Sequence, residues 1–156
     1  MVSVAVSKLG KTDLVFVQPG AKINSVYYCH NVLEQGLLPD IRRSSNDNFL
    51  FQQDGAPAHC SRHTVVYLHS HVPDFIEPEN WLPNSPDLNP MDYSVWGCCS
   101  RWCIITKFPI DQLKLVLIDC WARLSQVMLN RAIDQLLKRL MMVIKVKGAH
   151  VEFRLD

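Results

Sequence analysis

The first part of the chain alternates between short stretches typical of strands and longer stretches typical of helices. β-Branched residues alternate or cluster at residues 2–7 and 14–17, on either side of a polar stretch with Gly10 as a turn residue, and this predicts a β-hairpin. Apolar residues then recur at roughly helical spacing over residues 24–38, which predicts a helix that ends at Pro39. Its apolar positions are Val26, Tyr27, Val32, Leu33 and Leu37.

The middle of the chain continues this alternation. A polar loop at residues 42–48 leads into an apolar strand at residues 49–53. Ser61 is a suitable N-cap for a helix that runs to about His71, and a short strand follows at residues 75–76. The apolar face of this helix consists of Val65, Leu68 and Val72. The order of elements predicts an α/β fold.

The last part of the chain is predicted to be helical. Proline suits the first turn of a helix, so Asn89 and Pro90 predict a helix start that places Asp92 near the N-terminus, where the helix dipole favours an ionised carboxylate. Two amphipathic helices follow, and we expect their apolar stripes to face the core. The first stripe consists of Ile110, Leu113, Leu117, Trp121 and Leu124. The second consists of Leu129, Ala132, Ile133, Leu136, Leu137, Leu140, Met141 and Ile144.

The opposite face of the last helix is basic. It carries Arg131, Lys138, Arg139 and Lys145 against a single acid, Asp134. Two interpretations stay open: a solvated face, which is the commoner meaning of such a pattern, and a surface that contacts the DNA backbone.

Composition limits the function without naming it. The chain has 156 residues, of which 48% are hydrophobic, and this suits a single globular domain. A net charge of +1 argues against DNA binding through global charge. The six cysteines lack paired Cys-x-x-Cys motifs, so we expect free thiols and no zinc site. No apolar run approaches the ~18 to 20 residues of a membrane span and no signal segment opens the chain, so we expect a soluble intracellular protein without a membrane or small-molecule partner.

Two motifs carry candidate chemistry. Residues 49–59 read Phe-Leu-Phe-Gln-Gln-Asp-Gly-Ala-Pro-Ala-His, and residues 81–92 read Trp-Leu-Pro-Asn-Ser-Pro-Asp-Leu-Asn-Pro-Met-Asp. Asp54 ends the first strand, and Asp92 follows a rigid Pro-rich loop. Carboxylates delivered from separate elements suit a divalent cation, because hard cations take oxygen ligands. Without the surrounding motifs, Asp54 would be interpreted as a turn residue before Gly55, and Asp92 as an ordinary helix N-terminal acid.

The two motifs resemble those of the mariner-type branch of the DDE transposases. The resemblance implies an RNase H-like fold, a mixed sheet flanked by helices, in which Asp54 is the second catalytic carboxylate and Asp92 the third. It also implies Mg²⁺ or Mn²⁺ as the cofactor, bound weakly or not at all by this chain. Asp87 is expected to brace the loop. His59 and Asn89 are expected to shape the site, in roles that the sequence leaves open.

The resemblance also implies that the catalytic domain is incomplete here. In the family, the first catalytic Asp lies on a strand before the one that opens this chain, and the helix-turn-helix modules lie further upstream. We therefore expect a truncated RNase H-like core at residues 1–97, without its first strand, and a C-terminal helical part at residues 98–156. The missing strand would lie between the hairpin and the strand at residues 49–53. The chain is then expected to be marginally stable or self-associating, unless the hairpin pairs directly with that strand.

One segment departs from the family pattern. After Asp-Tyr-Ser-Val-Trp-Gly at residues 92–97, relatives continue with an amphipathic helical stretch rich in Gln, Leu, Val and Tyr. This chain instead has Cys-Cys-Ser-Arg-Trp-Cys-Ile-Ile-Thr-Lys-Phe-Pro at residues 98–109. A pair of compensating frame shifts and simple divergence both account for the departure.

Two classes of function follow from the resemblance. The first is a fragment of a transposase catalytic domain, whose intact relatives perform metal-dependent DNA cleavage and strand transfer in the nucleus. The sequence leaves open whether this chain is an enzyme, and we expect it to be inactive as written because the first Asp is missing. The second is a non-catalytic nucleic-acid-binding or dimerisation module derived from a transposable element. DNA is the expected partner in both classes, and a homodimer is a candidate assembly.

Overall fold

A computed structural model describes residues 1–83, 85–103 and 109–147, with the backbone alone for residues 101–103. The chain divides into two compact units, Met1–Asn84 and Ser85–Asp156. The first contains all the strands among the described residues, and the second is built from helices.

The predicted hairpin opens the first unit and is confirmed. Its strands are β1 (Val2–Ser3), β2 (Val6–Ser7), β3 (Gly10–Lys11) and β4 (Val15–Phe16). β1 pairs antiparallel with β4, and β2 with β3. The ladder is interrupted where the Ala5 N–H donates to Thr12 Oγ1 at 2.9 Å, while the Thr12 N–H still donates to the Ala5 carbonyl at 3.0 Å. Gly10, predicted as a turn residue, closes the turn at Lys8 and Leu9 and begins β3 opposite Ser7.

The helix after the hairpin is longer than predicted. It runs without a break through α1 (Ser25–Tyr27), a π-helical segment (Tyr28–Leu37) and α2 (Leu38–Ser45). The predicted end at Pro39 is wrong, because Pro39 lies in the first turn of α2. At the start of α2 the backbone hydrogen bonding changes from π to α register. The N–H that proline lacks therefore removes little of the hydrogen bonding of the helix. The helix ends where Asn46 adopts a left-handed conformation with φ 49°.

Most of the predicted apolar face of this helix is confirmed. Val32, Leu33 and Leu37 are buried, and Tyr27 packs against the same core. Val26, which precedes the π-helical segment, is 59% exposed and does not belong to that face. Tyr28, the first residue of the π-helical segment, is buried although the sequence did not select it.

A parallel strand pair completes the first unit. β5 (Leu50–Phe51) pairs with β6 (Asp74–Phe75), and α3 (Arg62–His71) connects them. The Ser61 hydroxyl accepts the Thr64 N–H at 3.3 Å, which confirms the predicted N-cap. A short 3₁₀ turn, Pro78–Asn80, follows β6.

The strand pairings are mixed, as predicted, but within the described residues they form separate two-stranded sheets. The hairpin strands pair only among themselves, so direct pairing of the hairpin with β5 is not observed. β5 takes its backbone partners from β6 instead, and the bond from the Ile76 N–H to the Phe51 carbonyl, at 2.9 Å, extends that pairing.

The core of the first unit joins the long helix, both parallel strands and α3. Its buried members are Tyr28, Val32, Leu33, Leu37, Leu38, Phe51, Leu68 and Phe75. Val65 and Val72 pack against this cluster, which confirms the predicted apolar face of α3.

The second unit starts with the Pro-rich motif. It contains a 3₁₀ turn (Pro86–Leu88), a π-helical turn (Met91–Val95), α4 (Trp96–Cys103), α5 (Ile110–Arg123) and α6 (Gln126–Lys145). The predicted helix start at Asn89 and Pro90 is confirmed, because the π-helical turn begins directly after Pro90. The departing segment at residues 98–109 falls partly on α4, and its residues 104–108 lie outside the described residues.

The predicted apolar stripes of α5 and α6 are only partly buried. Trp121, Leu129 and Ala132 are buried, but Ile110 is 73% and Leu137 66% exposed. The predicted stripes were too wide, since a packed helix buries only a sector of roughly 100°. The predicted basic face is wrong in one member, because Arg139 is 8% exposed and lies among the buried residues of α6.

Membrane spans and cysteine pairing were also predicted from the sequence. No helix in the described part of the chain is both long enough and apolar enough to cross a membrane. Cys29, Cys60 and Cys98 carry free thiols, as predicted.

Leu68→Ala tests the core of the first unit. Leu68 is 0% exposed, so its truncation should lower the free energy of unfolding by about 2 to 5 kcal/mol. Val66→Ala on the same helix is the control, because Val66 is 59% exposed and its truncation should change stability by less than about 0.5 kcal/mol. Chemical denaturation measures both, and equal losses would contradict this packing.

Candidate metal-binding carboxylates

Asp54 lies just beyond β5, in a turn fixed by its own side chain. Asp54 Oδ1 accepts the Ala56 backbone N–H at 3.1 Å, the usual hydrogen bond of an Asx turn. The same oxygen lies 2.6 Å from His59 Nδ1. An ionised carboxylate can only accept, so His59 Nδ1 carries the proton and donates it. Both hydrogen bonds fall on Oδ1, which leaves Oδ2 available to a ligand.

His59 is itself held by two residues behind it. Its ring packs on Tyr28 with 4.3 Å between the ring centroids. Gln53 Nε2 donates to the His59 carbonyl at 3.2 Å, and the Tyr28 hydroxyl donates to Gln53 Oε1 at 2.8 Å. The orientation of the Asp54 carboxylate therefore depends on a connected network that reaches into the core.

Electrostatics keep Asp54 in its charged form. The hydrogen bond from His59 is the largest cause that lowers the pKa of Asp54 below its ordinary value. Partial burial opposes this by raising the pKa, while the Ala56 N–H and the charge of His59 lower it further. Burial raises the pKa of Tyr28 well above its ordinary value, and the Asp54 charge adds to that. Tyr28 thus remains a neutral hydrogen-bond donor.

Asp92 is exposed in the first turn of the helix that follows the Pro-rich motif. Its backbone N–H donates to the Asn89 carbonyl at 2.9 Å. Asn89 Oδ1 accepts the Met91 N–H at 3.2 Å, so the amide side chain closes the turn before the helix. Asn89 thus shapes the turn before Asp92, and its role in a site stays a prediction. An acid at this position is stabilised by the helix dipole.

Asp87 braces the loop, although through its backbone. It lies exposed on the 3₁₀ turn, and its carbonyl accepts Arg139 Nη1 at 2.9 Å. Any residue could supply this carbonyl, so the structural role that the sequence predicted for the Asp87 carboxylate stays a prediction.

The structure connects Asp54 with His59 in the first unit and places Asp92 in the second. Whether the Asp54 and Asp92 carboxylates converge stays a prediction. No three His, Cys, Asp or Glu side chains within the described ranges are grouped closely enough to hold a metal ion by themselves.

Sequence reasoning missed two supporting residues, Tyr28 and Gln53. Gln53 precedes Asp54 in the quoted motif and was therefore visible, but its contact with the His59 carbonyl was not. Tyr28 lies next to Tyr27, which the sequence did select, but its own burial and its contact with His59 were not predicted.

The chain has relatives among known transposases. No family model matches it. The Tc3 transposable-element transposase of Caenorhabditis elegans is 30% identical over 156 residues, which cover 98% of this chain and 45% of that protein. The Tcb2 transposase of Caenorhabditis briggsae is 26% identical over 140 residues, which cover 85% of this chain and 48% of that protein. The chain thus spans less than half the length of these relatives.

Solved structures show the same fold. The Mos1 transposase catalytic domain determined with Raltegravir and Mn matches with a TM-score of 0.83 at 20% identity, over 97% of this chain and 76% of that one. A crystal structure of the catalytic domain of the Mos1 mariner transposase matches with a TM-score of 0.78 over 97% of this chain. These matches confirm the RNase H-like fold that the motifs implied.

The fold and the two acid-bearing motifs define part of a DDE transposase catalytic domain. The transposase relatives identify the branch of that class. The chain is a homologue of the Tc1/mariner transposases and corresponds to part of a mariner-type catalytic domain.

His59→Ala tests the electrostatic account of Asp54. Loss of the hydrogen bond from His59 should raise the pKa of Asp54 toward its ordinary value. Because folding lowers the pKa of Asp54, the ionised carboxylate stabilises the folded state at any pH above its unfolded pKa. This stabilisation is lost as the pH falls through the folded-state pKa. In His59→Ala the stabilisation from Asp54 should be smaller. Titration of the Asp54 carboxyl carbon by ¹³C NMR measures the shift. His63→Ala, at an exposed site in α3, is the control, and identical Asp54 titrations in both variants would contradict the account.

Proposed function

We propose that Asp54 and Asp92 are divalent-cation ligands of a DNA-cleaving and strand-transferring transposase catalytic domain. The observation that supports this most is the arrangement at Asp54. Its two hydrogen bonds both fall on Oδ1 and lower its pKa, so the carboxylate is ionised and Oδ2 can bind a cation. Mg²⁺ and Mn²⁺ are the proposed ions. Mos1 structures containing Mn or Mg support that choice by family resemblance.

The donor chemistry fits such an ion. Carboxylate oxygens are the ligands that Mg²⁺ prefers, and the ion requires them deprotonated. The His59 N–H keeps Asp54 ionised and fixes the plane of its carboxylate. Asp92 projects from the first turn of a helix, where ionisation is favoured. When bound, the cation would supply Lewis-acid assistance to phosphoryl transfer.

The partner and location follow from the same resemblance. We propose DNA as the partner, a homodimer as the assembly and the nucleus as the site of action. Similar structures include a Mos1 paired-end complex with Mn and a Mos1 strand transfer complex. We also propose that residues 1–97 supply the catalytic core and residues 98–156 its helical part.

Metal titration tests the two ligands. Two carboxylates should hold Mn²⁺ weakly, and its paramagnetism should broaden NMR signals from Asp54 and Asp92 first. Asp54→Asn and Asp92→Asn should each largely abolish this effect. Asp87→Asn is the control and should leave it intact, because Asp87 acts through its carbonyl. Tight stoichiometric binding, or binding that survives Asp54→Asn, would show that the site has been misassigned.

A second function is supported by the surface of α6. Arg131, Lys138 and Lys145 are exposed and recur every seven residues, so they lie along one side of the helix. A row of cations of this kind suits the phosphate backbone of DNA. A non-catalytic DNA-binding module would need this row and neither carboxylate.

Replacing all three cations by Ala tests this surface. If each contacts one phosphate, the salt dependence of duplex DNA affinity should weaken by about 0.9 in slope for each cation lost. A matched variant replaces Lys8, Lys22 and Arg62, three exposed cations of the first unit. Fluorescence anisotropy across a salt series measures both, and equal slopes would rule out a role for the α6 surface.

A further inference from the structure

Arg139 is a charged residue in a place where charge is unfavourable. It lies in the middle of α6 and is 8% exposed, between helix residues that form part of the core of the second unit. Burial of a cation costs free energy unless specific partners compensate. The contacts of Arg139 therefore indicate what the side chain does.

Two contacts of Arg139 involve the segment that carries Asp92. Arg139 Nη1 donates to the Asp87 carbonyl at 2.9 Å, on the 3₁₀ turn. The guanidinium carbon lies 3.9 Å from the centroid of the Tyr93 ring, in the π-helical turn. The Tyr93 hydroxyl in turn donates to the Ala132 carbonyl on α6. The segment is thus attached to α6 on both sides of Asp92.

Tyr93 is suited to this arrangement. Its hydroxyl and its ring face contact two different parts of α6, the Ala132 carbonyl and the Arg139 guanidinium. Its ring face attracts the guanidinium by a cation–π interaction, which is strongest where water is excluded.

We propose that Arg139 is a positioning residue for Asp92. Its guanidinium joins the Asp87 carbonyl to the Tyr93 ring, and this fixes the turn from which the Asp92 carboxylate projects. The turn-holding role depends only on the contacts above. Its relevance to metal binding rests on the proposed function of Asp92.

The geometry explains why arginine occupies this position. A planar guanidinium can donate along one edge while its face lies on an aromatic ring. Lysine has a compact ammonium group and would replace only part of these contacts, and methionine would fill the space without donating. Replacing Arg139 by Lys and by Met therefore separates the hydrogen bond and cation–π contact from the space that the side chain fills.

Hydrogen exchange by NMR on the full 156-residue chain is the test. The Asp92 and Tyr93 amides both donate to the Asn89 carbonyl, at 2.9 and 3.1 Å, so their protection reports whether the turn stays closed. Arg139→Met should accelerate exchange at both amides by about tenfold or more, and Arg139→Lys by less. Arg131→Met is the control, because it removes an exposed arginine from the same helix and should leave both amides unchanged.

The Trp121 amide on α5 distinguishes positioning from general stabilisation. Trp121 is buried in the same unit, away from the turn in sequence. Exchange at Trp121 should change little in either Arg139 variant. Acceleration of Trp121 by the same factor as Asp92, or unchanged exchange at Asp92 in Arg139→Met, would overturn the proposal.

A Mn²⁺ titration of the same variants separates this proposal from the proposed function. In Arg139→Met, broadening at Asp92 should fall while the wild-type chain and Arg131→Met retain it. If the wild-type chain shows no broadening at Asp92, the metal-binding function fails, and the exchange data still decide the role of Arg139. If broadening at Asp92 persists undiminished in Arg139→Met, positioning of the carboxylate is refuted.

Discussion

A carboxylate that is to hold a divalent cation must stay ionised and keep one oxygen available, and the first unit meets this requirement at Asp54. The His59 and Ala56 N–H groups both bind Oδ1, so charge is stabilised on one side and Oδ2 remains available. His59 can do this because its ring rests on Tyr28 and its carbonyl on Gln53. Tyr28 belongs to the π-helical segment and is itself a member of the core. The position of the Asp54 carboxylate is thereby linked to the packing of the first unit.

The second acid is supported differently. Asp92 is exposed, and its immediate support comes from backbone hydrogen bonds around Asn89. Behind that turn lies a buried cation on α6, in contact with both the 3₁₀ turn and Tyr93. Asp54 therefore lies in a turn supported by Tyr28 from the long helix, and Asp92 lies in a first helical turn supported by Arg139 from α6. This arrangement lets the acids project toward a ligand while the groups behind them remain fixed.

Local signals in the sequence predicted much of this fold. Ser61 caps α3 because its hydroxyl reaches an N–H three residues on, and Pro90 starts a helix because it needs no donor there. The failures have physical causes as well. Pro39 does not end its helix, since it falls where π and α hydrogen bonding meet. Periodicity counted at 3.6 residues does not detect such a change of register.

The sequence proposed the two acids of the candidate site but did not identify the residues that support them. Asp54 and Asp92 stand in motifs specific enough to identify a family, and the homologous transposases confirm that family. Arg139 looked like one of several cations on a solvated face. Only the structure shows that it is buried against Tyr93, because the partners lie far apart in sequence and neither residue signals the contact alone.

Diffraction from crystals soaked in Mn²⁺ tests the central claim most directly, because anomalous scattering locates the ion. The account predicts an anomalous peak within about 2.0 to 2.2 Å of Asp54 Oδ2, with the Asp92 carboxylate close enough to share that ion or one about 3.5 to 4 Å away. Carboxylates facing apart, with manganese bound elsewhere or at neither residue, would contradict it.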